Sequence, residues 1–301
     1  MRALVISGGG SKGAFAGGVA EFLLNIKKQH YDMYIGTSTG SLLISHLAVG
    51  KVDKIKEIYT NVGMSDIFNV NPFKIKKERG FTSVSINHFN VLVQFLKRRR
   101  TFGESKNLLH FIQNNLTREE FQTLKDSEPD VVITVTNIST NASEYKSIHE
   151  CTYEEYCEWI WISCNYIPFM SLVKKNGCEY GDGGFSNLVP INEAIARGAT
   201  EIDVIILESE HQCNRIGIGR NPFSLLIDIF RVTLDQIERY DITLGKMMAS
   251  IKNVQLNLYY TPIQLTDNAL VFDSTEMHKW WKIGFDYAQS KNENYSEIIL
   301  P

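Results

Sequence analysis

Short apolar runs alternate along the chain with longer stretches whose apolar residues recur at helical spacing. Leu4–Ile6 and Ile202–Leu207 are runs of the first kind, and their almost continuous apolar character is typical of buried strands. Ala14–Lys27 is a stretch of the second kind and predicts a helix. Its apolar stripe consists of Phe15, Val19, Phe22, Leu23 and Ile26. The alternation of the two kinds predicts an α/β protein, in which helices cover a sheet.

The same pattern places the other elements. Further predicted strands are Tyr34–Ile35, Val131–Thr136, Tyr145–Ile148 and Val254–Tyr260. Further predicted helices are Ser41–Ala48, Leu225–Ile251, Glu276–Gln289 and one that begins near Ile191. We expect Tyr145–Ile148 to pair with Val131–Thr136 across the Asn-rich turn at Asn141.

Composition narrows the class of protein. The 301 residues are 44% hydrophobic and 22% charged, which fits a packed globular chain and excludes a disordered one. The 31 Lys and Arg residues nearly balance the 34 Asp and Glu residues, so the net charge of −3 gives no overall attraction to nucleic acid. We therefore expect no nucleic-acid partner.

Cysteine spacing and hydropathy indicate a compartment. The five cysteines, one of them Cys213, form no Cys-x-x-Cys pair, which argues against a disulfide framework and a zinc knuckle and fits a reducing environment. The apolar stretch Ala3–Ile6 is too short for a signal-peptide core, and no run reaches the length of a membrane span. We expect a cytoplasmic protein that can also associate peripherally with a membrane.

One segment departs from the average charge. Between Ser65 and Lys106 nine Lys or Arg residues stand against three Asp or Glu residues, with Phe89, Val93 and Phe95 interspersed. Three interpretations remain open: a solvated helix face, a surface that meets anionic lipid headgroups and, as a more distant alternative, a nucleic-acid patch.

Candidate chemistry first appears at Gly36-Thr37-Ser38-Thr39-Gly40, between a predicted strand and a predicted helix. In that setting a Gly-x-Ser-x-Gly turn forms a nucleophile elbow, and glycines flank the serine because side chains there would block the turn and the substrate. We predict that Ser38 is a nucleophile, with Gly36 and Gly40 as its flanking glycines. The pentapeptide alone also fits a simple turn.

A second glycine-rich turn, Gly8-Gly9-Gly10-Ser11-Lys12-Gly13, also joins a strand to a helix. It lacks the terminal Gly-Lys-Ser/Thr of a Walker loop, and the next strand ends in the Ser38 turn instead of the acidic residue of a dinucleotide site. Bare backbone amides at a helix N-terminus suit a tetrahedral oxyanion. We therefore predict an oxyanion hole at Gly8, Gly9, Gly10 and Ser11.

The general base is less obvious, because none of the seven histidines lies in a marked turn. The marked carboxylate is Asp182 in Gly181-Asp182-Gly183-Gly184, although an Asp-Gly hairpin turn explains the same residues. An ordinary α/β-hydrolase fits poorly, since Ser38 follows only the second predicted strand.

The three motifs together resemble the patatin-like phospholipases. The family's Gly-Gly-Gly-x-Lys/Arg-Gly loop, Gly-x-Ser-x-Gly elbow and Asp-Gly-Gly/Ala turn occur here in the same order, and Ser163–Phe169 is similar to its Ser-x-x-x-x-Pro block. The resemblance covers nearly the whole chain, and the tail, with Phe272-Asp273 and the helix through Gly284, resembles compact bacterial members. Ser7 departs from the Asp of many members, and Cys164-Asn165-Tyr166 replaces smaller residues. Lys12, Gly13, Gly183 and Gly184 complete the matching motif positions.

The resemblance implies a three-layer α/β/α fold with a central, mostly parallel mixed sheet. It implies one catalytic domain over residues 1–301, in which 62–130 is a helical, basic cap or lipid-facing segment. It further implies a Ser38–Asp182 dyad without histidine, acting on phospholipids or lysophospholipids. We expect no cofactor and no metal.

Alternative functions remain. They are a broad-specificity carboxylesterase or thioesterase, a membrane-binding protein with a vestigial site, and a nucleotide-binding oxidoreductase.

Overall fold

The computed structural model describes the backbone of residues 1–78, 81–210, 222–266 and 268–298. Side chains are described in these ranges except at 76–83, 211–224 and 294–298. Cys213, one of the seven histidines (His211) and three cations of the segment Ser65–Lys106 (the side chains of Lys76 and Lys77, and Arg79) therefore lie outside the described residues.

Ten strands and eleven α-helices are assigned in the described residues. The strands are β1 (Arg2–Ile6), β2 (Met33–Thr37), β3 (Phe73–Glu78), β4 (Phe81–Ile86), β5 (Asp130–Asn137), β6 (Ala142–Ser147), β7 (Val173–Lys175), β8 (Cys178–Asp182), β9 (Glu201–Ile206) and β10 (Gln255–Tyr260). The helices are α1 (Gly13–Glu21), α2 (Thr39–Ala48), α3 (Val52–Asn61), α4 (Met64–Ile67), α5 (His88–Leu96), α6 (Lys106–Asn115), α7 (Arg118–Lys125), α8 (Tyr153–Ser163), α9 (Ile191–Ala196), α10 (Pro222–Lys252) and α11 (Ser274–Ile298).

Eight strands form one mixed, mostly parallel sheet, in the order β10-β9-β1-β2-β5-β8-β7, with β6 also paired to β5. β10, β9, β1, β2 and β5 are parallel neighbours, whereas β6 and β8 run antiparallel to β5 and β7 runs antiparallel to β8. The expected α/β class, its mostly parallel mixed sheet and the β5–β6 hairpin are confirmed.

The edge of β5 determines where the site lies. Residues 132–134 pair with β6 and with β2, so β2 and β6 occupy opposite edges of β5. Residues 135–137 pair with β6 and with β8, so β8 shares the edge of β2. Thr37, the last residue of β2, is opposite Thr134, and Asp182, the last residue of β8, is opposite Val135. The carboxyl ends of β2 and β8 therefore meet head to head.

Helices cover both faces of the sheet. Along β1, Leu4 and Ile6 belong to one buried apolar cluster, whereas Ala3 and Val5 belong to another on the opposite face. The larger cluster includes α1, α2, α6 and α8, and the smaller one lies against α9 and α10. Strands with both faces buried explain why β1 and β9 lack a polar alternation in the sequence.

Helix α1 packs unusually close to α11. A Cβ at Gly18 would lie 2.8 Å from the backbone nitrogen of Phe285, so only glycine allows this approach. The predicted helix Ala14–Lys27 is wrong at its end, because α1 stops at Glu21 and a π-helical turn continues from Phe22 to Ile26. Ile26 is 60% exposed, which removes it from the predicted apolar stripe.

The segment 62–130 contains helices α4 to α7 and the two-stranded β3–β4 ribbon. Thr117 caps the N-terminus of α7 in a capping box, in which Glu120 accepts from the Thr117 amide at 2.8 Å. Ile67, Leu108 and Ile112 attach the segment to the larger apolar cluster. These residues of the segment therefore pack in the same apolar cluster as α1, α2 and α8.

Candidate active site

Ser38 lies at a sharp turn between β2 and α2. Its φ of 53° and ψ of −119° are unusual for a residue with a side chain. The flanking glycines make the turn sterically allowed, since a Cβ at Gly36 would lie 2.5 Å from the carbonyl carbon of Gly40. The hydroxyl is thereby held at the carboxyl edge of the sheet.

Hydrogen bonds hold the backbone of Ser38 on both sides. Its amide donates to Ser163 Oγ at 2.9 Å, and that hydroxyl donates to the Thr134 carbonyl of β5 at 2.7 Å. Its carbonyl accepts from Ser41 Oγ at 2.6 Å and from Cys164 Sγ at 3.2 Å. The unusual conformation is therefore determined by buried groups from β5, α2 and the end of α8.

The Ser38 hydroxyl donates to Asp182 Oδ2 at 2.7 Å. The other carboxylate oxygen, Oδ1, accepts from the amide of Gly184 at 2.8 Å, and the Asp182 amide donates to the Asn165 carbonyl at 2.9 Å. The alternative of an Asp-Gly hairpin turn is wrong, because Asp182 ends β8 and is followed by a 3-10 turn at Gly183–Phe185. The two residues meet because β2 and β8 share one edge of β5.

Asp182 is 4% exposed. Burial raises its pKa from the usual value near 3.8 to about 7, while the hydrogen bonds from Ser38 and Gly184 oppose this shift. A carboxylate with a pKa near neutrality is a far stronger base than an exposed one. Asp182 is therefore able to accept a proton from the hydroxyl that it already contacts. None of the described histidines is hydrogen-bonded to either residue.

The glycine loop lies beside Ser38, since a Cβ at Gly8 would be 3.2 Å from Ser38 Cβ. Two of its four predicted oxyanion amides are already used: Gly8 donates to the Leu188 carbonyl at 3.3 Å and Ser11 to the Ala269 carbonyl at 2.8 Å. Within the described part of the chain, the amides of Gly9 and Gly10 are paired with no acceptor. Of the four amides predicted to form the oxyanion hole, only those of Gly9 and Gly10 are therefore free, among the described residues, to donate to an oxyanion.

Buried charges lie next to this loop. Lys12, which is 7% exposed, forms an ion pair with Glu208 just beyond β9, and Tyr59 donates to the carbonyl of Gly10 at 2.6 Å. Burial and the nearby charge of Glu208 raise the pKa of Glu238 to about 8. The ion pair ties the loop to the sheet, which is a positioning task that the sequence motif did not reveal for Lys12.

A cavity of about 530 Å³ opens beside Ser38, and the charged residues Lys12, Asp182 and Glu208 line it at that end. Helix α2 follows Ser38 directly, so its rise of 1.5 Å per residue places His46 about 12 Å farther along the wall. At that far end, His46 Nε2 lies 3.1 Å from the carbonyl oxygen of Asn115. The wall between is apolar: Leu42, Ile55, Ile58, Val62, Phe68, Leu108, Phe111, Ile112, Leu116, Ile160 and Met170. The cavity therefore suits an elongated apolar group whose reactive end lies at Ser38.

The other predicted motif residues lie in the turns and helix starts next to Ser38 and Asp182. Gly40 follows Ser38 in the first turn of α2, Gly13 begins α1, and Gly183 and Gly184 form the short 3-10 turn after Asp182. Two hydrogen bonds to Ser38 were not predicted from the sequence: its amide donates to Ser163 Oγ, and its carbonyl accepts from Cys164 Sγ. Both partners belong to the Ser-x-x-x-x-Pro block, so the presence of that block was the only sequence signal for these contacts.

Among the described residues, no helix is long and apolar enough to cross a membrane. No group of three or more His, Cys, Asp or Glu side chains there is arranged to hold a metal ion.

Known proteins provide an independent comparison. The fold is similar to that of VipD from Legionella pneumophila, with a TM-score of 0.54 at 13% sequence identity, over 97% of this chain and 67% of the VipD chain. No curated protein sequence matches the chain significantly. The family model described as patatin-like phospholipase matches residues 4–195, which is more than half of the chain. The chain belongs to the patatin-like phospholipase family.

Proposed function

We propose that this protein hydrolyses carboxylic esters of phospholipids or lysophospholipids through a Ser38–Asp182 dyad and an acyl-enzyme. Membership of the family supports lipid acyl hydrolysis in general. The observation that carries the finer proposal is the 2.7 Å hydrogen bond from the Ser38 hydroxyl to a buried carboxylate. A nucleophile in direct contact with its base needs no intermediary histidine.

The proposed reaction has two halves. Ser38 Oγ attacks the ester carbonyl carbon while its proton passes to Asp182, and the amides of Gly9 and Gly10 donate to the resulting oxyanion. The bond between the carbonyl carbon and the leaving oxygen then breaks, and Asp182 returns the proton to the leaving alcohol. Water next attacks the acyl carbon and gives its proton to Asp182. The bond between the acyl carbon and Ser38 Oγ then breaks, Asp182 returns the proton to Ser38 Oγ, and the fatty acid is released.

The shape of the cavity supports a lipid substrate. An acyl chain in the apolar section, with its ester carbonyl at Ser38, transfers its hydrocarbon from water to an apolar wall. The alcohol part of the ester would then lie at the polar end of the cavity, beside Lys12 and Glu208. This division favours an acyl hydrolase over an enzyme that cleaves the headgroup phosphate.

Product analysis tests the proposal. The intact protein and Ser38→Ala are incubated with a mixed panel of phospholipids and lysophospholipids, and released fatty acids are measured by mass spectrometry. We expect fatty acids from the intact protein, and loss of both turnover and fluorophosphonate labelling in Ser38→Ala. The backbone hydrogen bonds of residue 38 do not require its hydroxyl, so the variant should keep its melting temperature. Turnover retained by Ser38→Ala would refute the dyad, and cleavage of small soluble esters alone would favour a carboxylesterase or thioesterase.

A further inference from the structure

Helix α5 has one anchored face and one uncovered face. Val91 and Gln94 are buried, at 5% and 3% exposure. The uncovered face carries large apolar side chains at helical spacing, which are Phe89 (70% exposed), Leu92 (57%), Phe95 (67%) and Leu96 (76%). A contiguous patch of exposed phenylalanine and leucine marks an interaction surface rather than ordinary solvent-facing helix.

Four consecutive cations, Lys97 to Arg100, follow this helix directly, and all are exposed. Arg99 lies 3.5 Å from Glu104, and Arg100 forms an ion pair with Glu179. Among the described residues, no carboxylate pairs with Lys97 or Arg98. The surface therefore combines an apolar patch with positive charge that the rest of the described chain does not fully neutralise.

The Arg100 end of this surface approaches the wall of the cavity beside Ser38. Arg100 lines a shallow depression together with Phe185 and Phe230. The Phe185 ring stacks on Tyr166, with centroids 5.4 Å apart, and Tyr166 lines the cavity itself. Phe185 also ends the 3-10 turn that begins beside Asp182. The end of the surface at Arg100 is therefore linked to the cavity wall through Phe185 and Tyr166.

We infer that the uncovered face of α5 and the cations Lys97 to Arg100 form a docking surface for an anionic lipid bilayer. Phenylalanine and leucine beside Lys and Arg is the composition with which interfacial helices insert into the headgroup region. A bilayer supplies an apolar layer and a negative surface at the same place, which matches both properties. A two-fold contact between copies of the chain would instead bring two like-charged patches together. The inference stands on exposure and charge and does not depend on the ester chemistry.

Binding to vesicles of ether-linked lipids tests the inference, because the protein cannot hydrolyse them. The full chain is cosedimented with phosphatidylcholine vesicles and with mixed phosphatidylcholine and phosphatidylglycerol vesicles, at low and high salt. We expect stronger binding to the anionic vesicles and weaker binding as salt rises. Equal binding to both compositions would overturn the inference.

Variants with matched controls separate the two contributions. Lys97→Gln/Arg98→Gln should weaken anionic binding by about 30-fold. Its control is Lys27→Gln/Lys28→Gln, an exposed adjacent pair whose second residue also has a positive φ, 52° against 55° for Arg98. Leu92→Ser/Leu96→Ser should weaken binding on the order of tenfold or more. Its control is Met247→Ser/Ile251→Ser, which has the same spacing and similar exposure of 57% and 71%.

Both controls lie away from the site. Lys27 follows the π-helical turn Phe22–Ile26. Ile251 precedes β10, which begins opposite Glu201, the first residue of β9, and so lies at the amino ends of these strands, whereas Ser38 lies at a carboxyl end. We expect them to bind vesicles as the unaltered chain does. Equal losses in variants and controls would overturn the inference. So would a Leu92→Ser/Leu96→Ser variant that changes the molecular mass in solution while vesicle binding is unchanged, because the face would then join copies of the chain.

Discussion

The two ends of the cavity beside Ser38 are built in different ways. At the Ser38 end, backbone hydrogen bonds hold Ser38 and Asp182: the Ser38 amide, the Gly184 amide and the Asp182 amide each make a hydrogen bond of 2.8–2.9 Å. At the far end, near His46, apolar side chains from α2, α3, α6 and α8 form the wall. Geometry at the first end is fixed by the register of β2 and β8 on β5, whereas size at the second end is set by side-chain volume.

We expect this difference to separate the residues that set the reaction rate from those that set the preference for acyl-chain length. Side-chain substitutions at the Ser38 end should change the rate while the fold persists, because the main-chain hydrogen bonds remain. Substitutions at the far end should change which acyl chain fits while the reacting groups stay in place. Each prediction below tests one side of this division, beginning with the largest effect.

Asp182→Asn should lower kcat/KM on a soluble ester by roughly 10³-fold, because an amide cannot accept the Ser38 proton. The matched control is Asp203→Asn. Asp203 is also a buried carboxylate with a pKa raised by burial, and it accepts from Tyr31 at 2.6 Å, away from the cavity. Steady-state kinetics should show near-normal turnover for the control. A comparable loss in both variants would mean that buried carboxylates support the fold and not the reaction.

Asp182→Asn should also stabilise the protein at alkaline pH. The Asp182 pKa is about 7 in the folded protein and near 3.8 in the unfolded chain, so the folded state binds more protons between these values and stability falls as pH rises through that window. Above pH 7 the buried charge costs about 4 kcal/mol by this difference. Asparagine removes the cost, so its gain in free energy of unfolding should be largest near pH 8 and small near pH 4. Urea denaturation at both values measures it, and equal gains would contradict the assigned pKa.

Leu116→Trp should change the preference for acyl-chain length and leave the hydrolysis of short-chain esters nearly unchanged. Leu116 is 2% exposed and lies at the far end of the cavity, next to the Asn115 carbonyl that His46 contacts. A larger ring there shortens the apolar section, so hydrolysis of long-chain esters should fall about tenfold relative to short-chain esters. A series of esters of increasing chain length measures the ratio. An equal loss for all chain lengths would mean that the far end does not hold the acyl chain.

The sequence predicted the parts of the fold that depend on local pattern. β1, β2, β5 and β9 were predicted because buried parallel strands are almost continuously apolar. β10 was predicted although Gln255 and Asn257 interrupt its apolar residues. β7 and β8 were missed, since Val173–Lys175 and Cys178–Asp182 are short, mixed in polarity and supported by pairing with distant β5. The pairing of β2 and β8 with the same edge of β5 depends on the register between strands that are far apart in the sequence, and no local pattern specifies that register.

The candidate site shows the same limit. Ser38, Asp182 and the glycine loop were predicted from motifs with unusual backbone demands. The narrowing of the loop to the Gly9 and Gly10 amides depends on Leu188 and Ala269, whose carbonyls reach Gly8 and Ser11 from remote parts of the chain. The support of Ser38 by Ser163 likewise joins residues 125 positions apart. Such tertiary hydrogen bonds leave no periodic signal in the sequence.

The most direct test of the account is the pH dependence of Ser38 labelling by a fluorophosphonate. If Asp182 takes the proton from Ser38, the labelling rate should rise with pH through a single ionisation near 7, because only the carboxylate is a base. The same profile in Asp182→Asn should be slow and flat across that range. A rate that does not change near pH 7 in the intact protein, or an ionisation that persists in Asp182→Asn, would contradict the dyad.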